Sequence, residues 1–323
     1  MKSKITTIIP FLNKSNTEQL NYLIIKILKG KNFPDEIFIA HSGYARLNLS
    51  SFVKKLALKK KVIIKKFYKK KMYPGEARNV GIKMSKNNIL GFLDLNTIPN
   101  SNWLREGMGQ LKNNTLICWG QTYYSAETYQ AKIIRASTVG SHLHRTIPGT
   151  IFNRKIINKC GKFIENVRAG EDGDWIQRIN LHQIKGQANN CTLVYASLNK
   201  VDYTSILKKW FLYYSHSKKL SHLMFQRNIY FLFFIITTVL ISYNWNGVVA
   251  GWNTESSQYI PNFTTITVLI FSSIYIVFRA ILLPVKKKTK LTFLLPFNFL
   301  TISLFSVLLD TIKIIAFLNF KKK

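Results

Sequence analysis

The chain has 323 residues, of which 47 are Lys or Arg and 14 are Asp or Glu, for a formal net charge of +33. That length holds one large domain with an appendage. The lysines are spread along the chain rather than gathered in one basic arm, and no nucleic-acid signature accompanies them, so no nucleic acid is expected as a partner. The three cysteines, Cys118, Cys160 and Cys191, are odd in number, widely spaced and without metal-ligand pattern, which points to buried reduced thiols.

In chain order, apolar runs predict strands over residues 5–9, 36–40, 62–66, 89–93, 116–121 and 193–196. Helical spacing predicts helices over 17–29, 52–60, 76–85, 103–112 and 172–181. Strands alternating with helices imply an α/β fold with a doubly wound, Rossmann-like sheet. Met1 and the residues after it lead directly into the first strand without an apolar leader, so this domain, residues 1–204, is expected in the cytoplasm. Residues 142–149, with His142, His144 and Gly149, read as a loop. The two histidines have an i, i+2 spacing seen at metal sites, but polar loop residues are the plainer account.

Beyond residue 204 the composition changes. Lys208, Lys209, Lys218 and Lys219 alternate with Trp210, Phe211, Tyr213 and Tyr214, the mixture of a helix lying in a headgroup layer, so residues 205–227 are expected to be interfacial. Residues 228–323 then form a membrane region with two or three hydrophobic spans, at about 229–250, 262–284 and 291–318, close to the ~20 apolar residues that cross a bilayer core. Lys286, Lys287, Lys288 and Lys290 between the second and third segments place that loop inside. A full third crossing would leave Lys321, Lys322 and Lys323 outside against the same rule, and Pro296 could break it instead, so two and three spans both stand. Anionic headgroups are the expected lipid partner of so basic a face.

Five short stretches carry chemistry. Tyr73-Pro-Gly-Glu-Ala-Arg-Asn-Val-Gly-Ile82 reads as a helix entered through Pro74 and Gly75. Gly91-Phe-Leu-Asp-Leu-Asn-Thr-Ile-Pro99 reads as a buried strand delivering Asp94 to its carboxyl end, where open α/β sheets bind ligands. Lys4-Ile-Thr-Thr-Ile-Ile-Pro-Phe-Leu-Asn13 and Phe33-Pro-Asp-Glu-Ile-Phe-Ile-Ala-His-Ser-Gly43 are strands with their exits, and Arg168-Ala-Gly-Glu-Asp-Gly-Asp-Trp-Ile-Gln-Arg178 opens a helix with three acids. In this order and spacing the set resembles the family 2 glycosyltransferases, which have a GT-A fold, over roughly the first two thirds of the chain.

The resemblance implies an inverting transfer of a sugar from a nucleotide-diphosphate donor. It implies donor contacts at Pro10, Asn13, His41, Arg78, Asp94 and Asn96, and a divalent cation, Mn²⁺ or Mg²⁺, on Asp94 and Asn96. Because Asn96 stands where the family has a second acid, and a neutral amide oxygen holds hard cations less strongly than a carboxylate, the cation is expected to be weakly bound. The resemblance makes Asp172 the general base, with Glu171 and Asp174 orienting base or acceptor and Trp175, Arg178 and Gly149 on the acceptor side. Acids at a helix start also fit an N-cap, and both roles stand on sequence alone. His41 replaces the family's acid after the second strand. The interfacial segment favours a lipid-linked or glycan acceptor in cell-surface polysaccharide or glycolipid synthesis, at a cytoplasmic membrane of bacterial inner-membrane type. The competing readings are a catalytically degenerate homologue acting as a membrane scaffold and a basic membrane-binding protein.

Overall fold

The computed structural model describes residues 4–12, 16–43, 46–111, 115–216, 219–242 and 244–318. They form two compact units: residues 1–131 with 142–201, and residues 132–141 with 202–323.

In the first unit, β1 (Ile5–Phe11), β2 (Glu36–His41), β3 (Ile63–Tyr68), β4 (Ile89–Phe92), β5 (Thr97–Ile98), β6 (Ile117–Tyr124), β7 (His144–Asn153) and β8 (Gln187–Tyr195) make one sheet in the order β3-β2-β1-β4-β7-β6-β8-β5. The first four strands are parallel; β7 runs antiparallel to β4 and β6, and β8 is parallel to β6. The helices are α1 (Thr17–Leu28), α2 (Ser51–Lys59), α3 (Pro74–Met84), α4 (Trp103–Gln110), α5 (Tyr129–Ser137, whose later residues belong to the second unit), α6 (Lys155–Cys160) and α7 (Glu171–Leu181).

Period-two alternation along the central strands builds two cores, one on each face. Ile5 and Ile9 of β1 and Ile37 and Ile39 of β2 pack with Leu20 and Ile24 of α1, Val53 of α2 and Trp103 of α4. Ile8, Phe38 and Ala40, pointing the other way, pack with Ala77 and Ile82 of α3, Ile156 of α6 and Trp175 of α7. The doubly wound arrangement read from the sequence is therefore present, on a mixed sheet. Close approach makes α3 fit: a Cβ on Gly81 would lie 2.5 Å from Ile8, and one on Gly75 would lie 2.3 Å from the Ile164 carbonyl oxygen.

The stretch 142–149 is not a loop: His144–Asn153 is a ten-residue strand. Pro148 is tolerated there because the register between β6 and β7 shifts between Cys118 and Gly120, a bulge that relieves the missing amide. Gly149 has φ +84°, and a Cβ on it would sit 2.4 Å from Leu193. β8 starts at Gln187, well before the apolar residues that mark its end.

In the second unit, residues 205–227 fall on two helices, α8 (Tyr203–Tyr214) and the start of α9 (Ser221–Ser242). Lys208 and Lys209 are exposed and Trp210, Phe211 and Tyr213 half-buried, but Tyr214 is buried against Phe317. Lys218 and the final lysines lie outside the described residues. Two helices, Phe263–Lys286 and Asn298–Leu318, are long and apolar enough to cross a membrane. The last apolar stretch is interrupted near Pro296, with a short helix Leu291–Leu294 before the long one.

Polar groups tie these two helices together. Arg279 donates to Asp310 at 2.8 and 3.2 Å, and the Tyr275 hydroxyl donates to the same carboxylate at 2.9 Å. The Lys313 ammonium lies 4.0 Å from the Tyr230 ring and 4.7 Å from the Tyr214 ring, a cation–π enclosure that draws α8 and α9 to the last helix. Removing one partner of a buried pair leaves an uncompensated charge, whereas removing both does not. Asp310→Ala is therefore expected to lower the thermal midpoint in detergent more than Arg279→Met combined with Asp310→Leu; equal losses would mean that the pair contributes nothing specific.

Candidate active site

The site begins with an anomaly in α3. Most helices bury apolar side chains, yet α3 buries Arg78 and Asn79, at 2% and 5% exposure. Asn79 bridges to the loop ahead of α7: its amide donates to the Phe163 carbonyl at 2.9 Å and to Glu165 at 2.7 Å, and it accepts from the Phe163 amide at 3.0 Å. Arg154 secures the other end of α3 through the carbonyls of Ser85 and Asn87, at 2.7 and 3.1 Å. A buried guanidinium requires compensating anions.

Three carboxylates supply them. Arg78 Nη1 donates to Glu171 Oε1 at 2.9 Å and lies 2.9 Å from Asp172 Oδ1, while Nη2 donates to Asp94 Oδ1 at 3.3 Å. The guanidinium also rests 5.4 Å from the Phe163 ring and 6.0 Å from the Phe92 ring. Asp94 and Asp172 thus reach the two terminal nitrogens of one planar fork, which keeps them within about 10 Å of each other. One guanidinium against three acids leaves the cluster net negative if all are ionised, on a chain that is otherwise strongly basic.

Each acid is placed by its backbone. Asp94 follows β4 in a turn closed by Thr97, whose hydroxyl donates to the Asp94 carbonyl at 2.8 Å and accepts from its amide at 3.2 Å. Gln19 of α1 braces the turn by donating to Leu95 O at 3.2 Å and Asn96 Oδ1 at 2.9 Å. Asn96 therefore spends one lone pair of its amide oxygen within the protein. At α7, Gly170 occupies the N-cap at φ +97° and makes no side-chain cap bond, so Glu171 and Asp172 stand in the first turn and turn toward Arg78. The capping alternative is thereby settled in favour of ion pairing, with the helix dipole still favouring both acids.

Exposure divides the cluster. Glu171 is buried, with its side chain 7% exposed, whereas the Asp94 and Asp172 side chains are 39% and 37% exposed. Asp172 Oδ1 is itself covered, so the accessible part of that carboxylate is its outward side. Burial pushes the Asp172 carboxyl up, to about 8, with the charges of Glu171 and Asp94 adding to the rise and Arg78 opposing it. The same mixture, a carboxylate held from behind and open in front with a raised affinity for protons, suits a group that accepts a proton from a bound molecule.

Other residues singled out by sequence stand elsewhere. Pro10 lies half-buried near the end of β1, and His41 ends β2, buried and 5.4 Å from the Tyr68 ring; both are at the carboxyl edge that carries Asp94. Asn13 lies outside the described residues. Trp175 is not on an acceptor face: it is fully buried, stacked 4.6 Å from Phe163 and beside Phe152, because its indole fills the core behind α7. Arg178 and Asp174 form an i, i+4 pair at 2.7 Å, and Arg178 also donates to the Lys162 carbonyl at 2.8 Å and to the Cys160 carbonyl, holding the loop before α7. Gly149 is a packing glycine whose carbonyl accepts from Trp103 Nε1 at 2.8 Å. Asp174, Arg178, Trp175 and Gly149 thus brace the elements around the acid cluster.

Among the described residues no group of three or more His, Cys, Asp or Glu could hold a metal ion. The donors Asp94 and Asn96 nevertheless fit a hard cation of the Mg²⁺ or Mn²⁺ kind, which is commonly held by one or two protein oxygens and completed by substrate phosphates and water.

Sequence reasoning missed Tyr124 and Tyr195, and read His142 and His144 only as polar loop residues. Tyr195 pairs with Thr97 across β5 and β8, and Tyr124 pairs with Tyr195 across β6 and β8. Burial pushes the Tyr124 hydroxyl up to about 12, helped by Tyr195 and by the charges of Asp94 and Asp172, so this tyrosine stands in the field of the acids. No local signal could have grouped these residues, because their adjacency is created by strand pairing.

The parallel α/β half carries Pro10, His41 and Asp94 at its carboxyl edge, the edge at which open α/β sheets bind ligands. Residues 6–164 match the model of Glycosyl transferase family 2. An uncharacterized glycosyltransferase of Rickettsia bellii (strain RML369-C) is 27% identical over 186 residues, covering 53% of this chain and 25% of that protein. Similar solved structures include the mannosyltransferase PcManGT from Pyrobaculum calidifontis in complex with GDP-Man and Mn²⁺, 14% identical with a TM-score of 0.49, over 68% of this chain and 64% of that one. Another is TarS 1-349 of S. aureus in complex with UDP-GlcNAc, 14% identical with a TM-score of 0.44, over 68% of this chain and 69% of that one. The chain thus spans about a quarter of its curated relative and just under two thirds of the first structure.

Proposed function

We propose that the protein transfers a sugar, with inversion, from a nucleotide-diphosphate donor to a lipid-linked saccharide, on the cytoplasmic side of a membrane that its C-terminal helices cross. The observation that carries this reading is the convergence of Asp94 from the donor edge of the sheet and Asp172 from α7 on the single guanidinium of Arg78. A transferase needs its leaving-group site and its base within one substrate complex, and this arrangement supplies both within reach.

In this reading Asp172 accepts the proton of the acceptor hydroxyl on its outward oxygen. The hydroxyl oxygen then forms a bond to C1 of the donor sugar from the face opposite the diphosphate. The C1–O bond to the diphosphate breaks, and its electron pair leaves with the phosphate oxygen. Arg78 holds Asp172 from behind and fixes the direction in which it can take a proton. Glu171, buried on the same guanidinium, keeps Arg78 charge-paired and in place. A divalent cation held by Asp94 and Asn96 would supply charge neutralisation of the departing diphosphate.

The membrane assignment rests on the two long apolar helices and on the exposed Lys208 and Lys209 of α8 beside half-buried aromatic rings, the composition of a headgroup-facing helix. Products of this kind belong to cell-surface polysaccharide or glycolipid synthesis. The test is a product assay: full-length protein in detergent, incubated with a panel of nucleotide sugars with and without Mg²⁺ or Mn²⁺, and scored for donor turnover with and without a polyprenyl-phosphate-linked saccharide. Cation-dependent release of a nucleoside diphosphate from one donor, raised by the lipid-linked acceptor, is expected. No turnover of any donor would favour a membrane scaffold that keeps the fold without the chemistry.

A further inference from the structure

The two tyrosines missed by sequence reasoning form a continuous row with the two histidines. His142, His144, Tyr124 and Tyr195 follow one another with ring centroids 4.0, 5.2 and 5.0 Å apart. The row crosses β7, β6 and β8 and ends at Thr97, the residue that closes the Asp94 turn through its hydroxyl. Three inter-strand steps span roughly 14 Å. All four rings are half-buried rather than buried, so they are not simply core.

Position decides what such a row would take. The sheet order puts β3, β2 and β1 on one side of β4 and puts β7, β6, β8 and β5 on the other. The nucleotide end, with His41 and Pro10 at the tips of β2 and β1, is on the first side. The ring row lies on the second, across β7, β6 and β8, and its Tyr195 end adjoins Thr97 of the Asp94 turn. Its composition is amphipathic: apolar ring faces alternate with phenol hydroxyls and imidazole nitrogens, with no carboxylate among them. Saccharides present the complementary surface, C–H faces that lie on aromatic rings and hydroxyl edges that hydrogen-bond. Cross-strand aromatic pairs also steady a sheet, but that role needs no alignment with the site and no continuity over three strands.

We infer that the aromatic row of Tyr195, Tyr124, His144 and His142 is an acceptor track that binds a carbohydrate chain of more than one sugar, with its terminal sugar beside Asp172. The inference rests on the transferase reading above and makes it more specific: the acceptor is an oligosaccharide, and the sugars behind the reacting one contribute to its binding. The Tyr124 hydroxyl, in the field of Asp94 and Asp172, would meet the terminal sugar, and the histidines would meet sugars further back.

Linear glucose, mannose and N-acetylglucosamine oligosaccharides of one to four units are titrated into the full-length protein in detergent, in the presence of saturating UDP or GDP and Mn²⁺. For at least one series the affinity is expected to rise with length. In Tyr195→Leu and Tyr124→Leu, which keep apolar bulk but lose the ring, the gain with length should fall at least tenfold; Tyr195→Phe should retain most of it. A purely structural role would lower the thermal midpoint of the Leu variants without changing the length dependence. Nucleotide affinity, measured separately, distinguishes the two failures. If neither UDP nor GDP binds, the transferase reading falls and this inference with it. If nucleotide binds but no series gains affinity with length, or the Leu variants keep the gain, the acceptor track alone is overturned.

Discussion

Asp172→Asn should abolish sugar transfer, by ~10²-fold or more in kcat/KM, while leaving nucleotide-donor affinity close to that of the wild type. The substitution keeps the shape and an oxygen toward Arg78 but removes the site for the acceptor's proton. It also makes a pH test available. The folded Asp172 carboxyl lies above its ordinary value, so its basic form fills only as pH rises, and wild-type kcat/KM should climb toward a plateau through about pH 8. Residual activity of the Asn variant should lack that limb. Stability follows the opposite sign: between the ordinary carboxyl range and about 8 the folded state binds a proton that the unfolded state releases, so wild-type stability falls as pH rises through this window. Asp172→Asn should therefore be stabilised relative to wild type at pH 9 and much less so at pH 4. Turnover retained with an unchanged pH limb would transfer the base role to another group.

Arg78→Met should have the larger effect on the fold. Glu171 and the covered oxygen of Asp172 would be left without their cation in a buried setting, and loss of one partner from such a pair costs about 3–5 kcal/mol. The variant should unfold at markedly lower temperature and lose transfer altogether, because the acids no longer share a fixed anchor. Arg78→Lys retains the charge but replaces a planar fork by one ammonium, which cannot reach Asp94, Glu171 and Asp172 in the same geometry. Its stability should be intermediate and its kcat reduced well below wild type. Calorimetric unfolding with the product assay checks both; a Met variant as stable as the wild type would show that the three acids do not depend on Arg78.

These two residues were legible from sequence because their signals are local. The apolar run of β4 ends on Asp94, and Arg78 and Asp172 sit in short patterned stretches, Ala-Arg-Asn and Gly-Glu-Asp. The strands β1, β2 and β4 were legible for the same reason: they are buried on both faces and read as continuous apolar runs. β7 was not, because Pro148 and Gly149 signal a turn and only the bulge against β6 makes them compatible with a strand. The start of β8, Gln187-Ala-Asn-Asn, is polar and gave no strand signal. Trp175 was misplaced because an aromatic after an acidic cluster suggests a ligand face, whereas its position one turn into α7 points it at Phe163 and Phe152. Asp174 and Arg178 carried a local signal that spoke for structure, the i, i+4 spacing of an ion pair. The aromatic row depends on which strands are neighbours, and the order β7-β6-β8-β5 cannot be read from any stretch of the chain.

The central claim is that the acids gathered by Arg78 form a nucleotide-sugar site in which Asp94 serves the diphosphate and Asp172 the acceptor. Equilibrium titration of UDP and GDP into full-length protein, with and without Mn²⁺, tests it most directly when wild type, Asp94→Ala and Asp172→Asn are measured side by side. The account predicts cation-dependent binding of one nucleotide by the wild type, at least tenfold weaker binding by Asp94→Ala, and wild-type affinity in Asp172→Asn. Binding by no protein, or equal binding by wild type and Asp94→Ala, would contradict it.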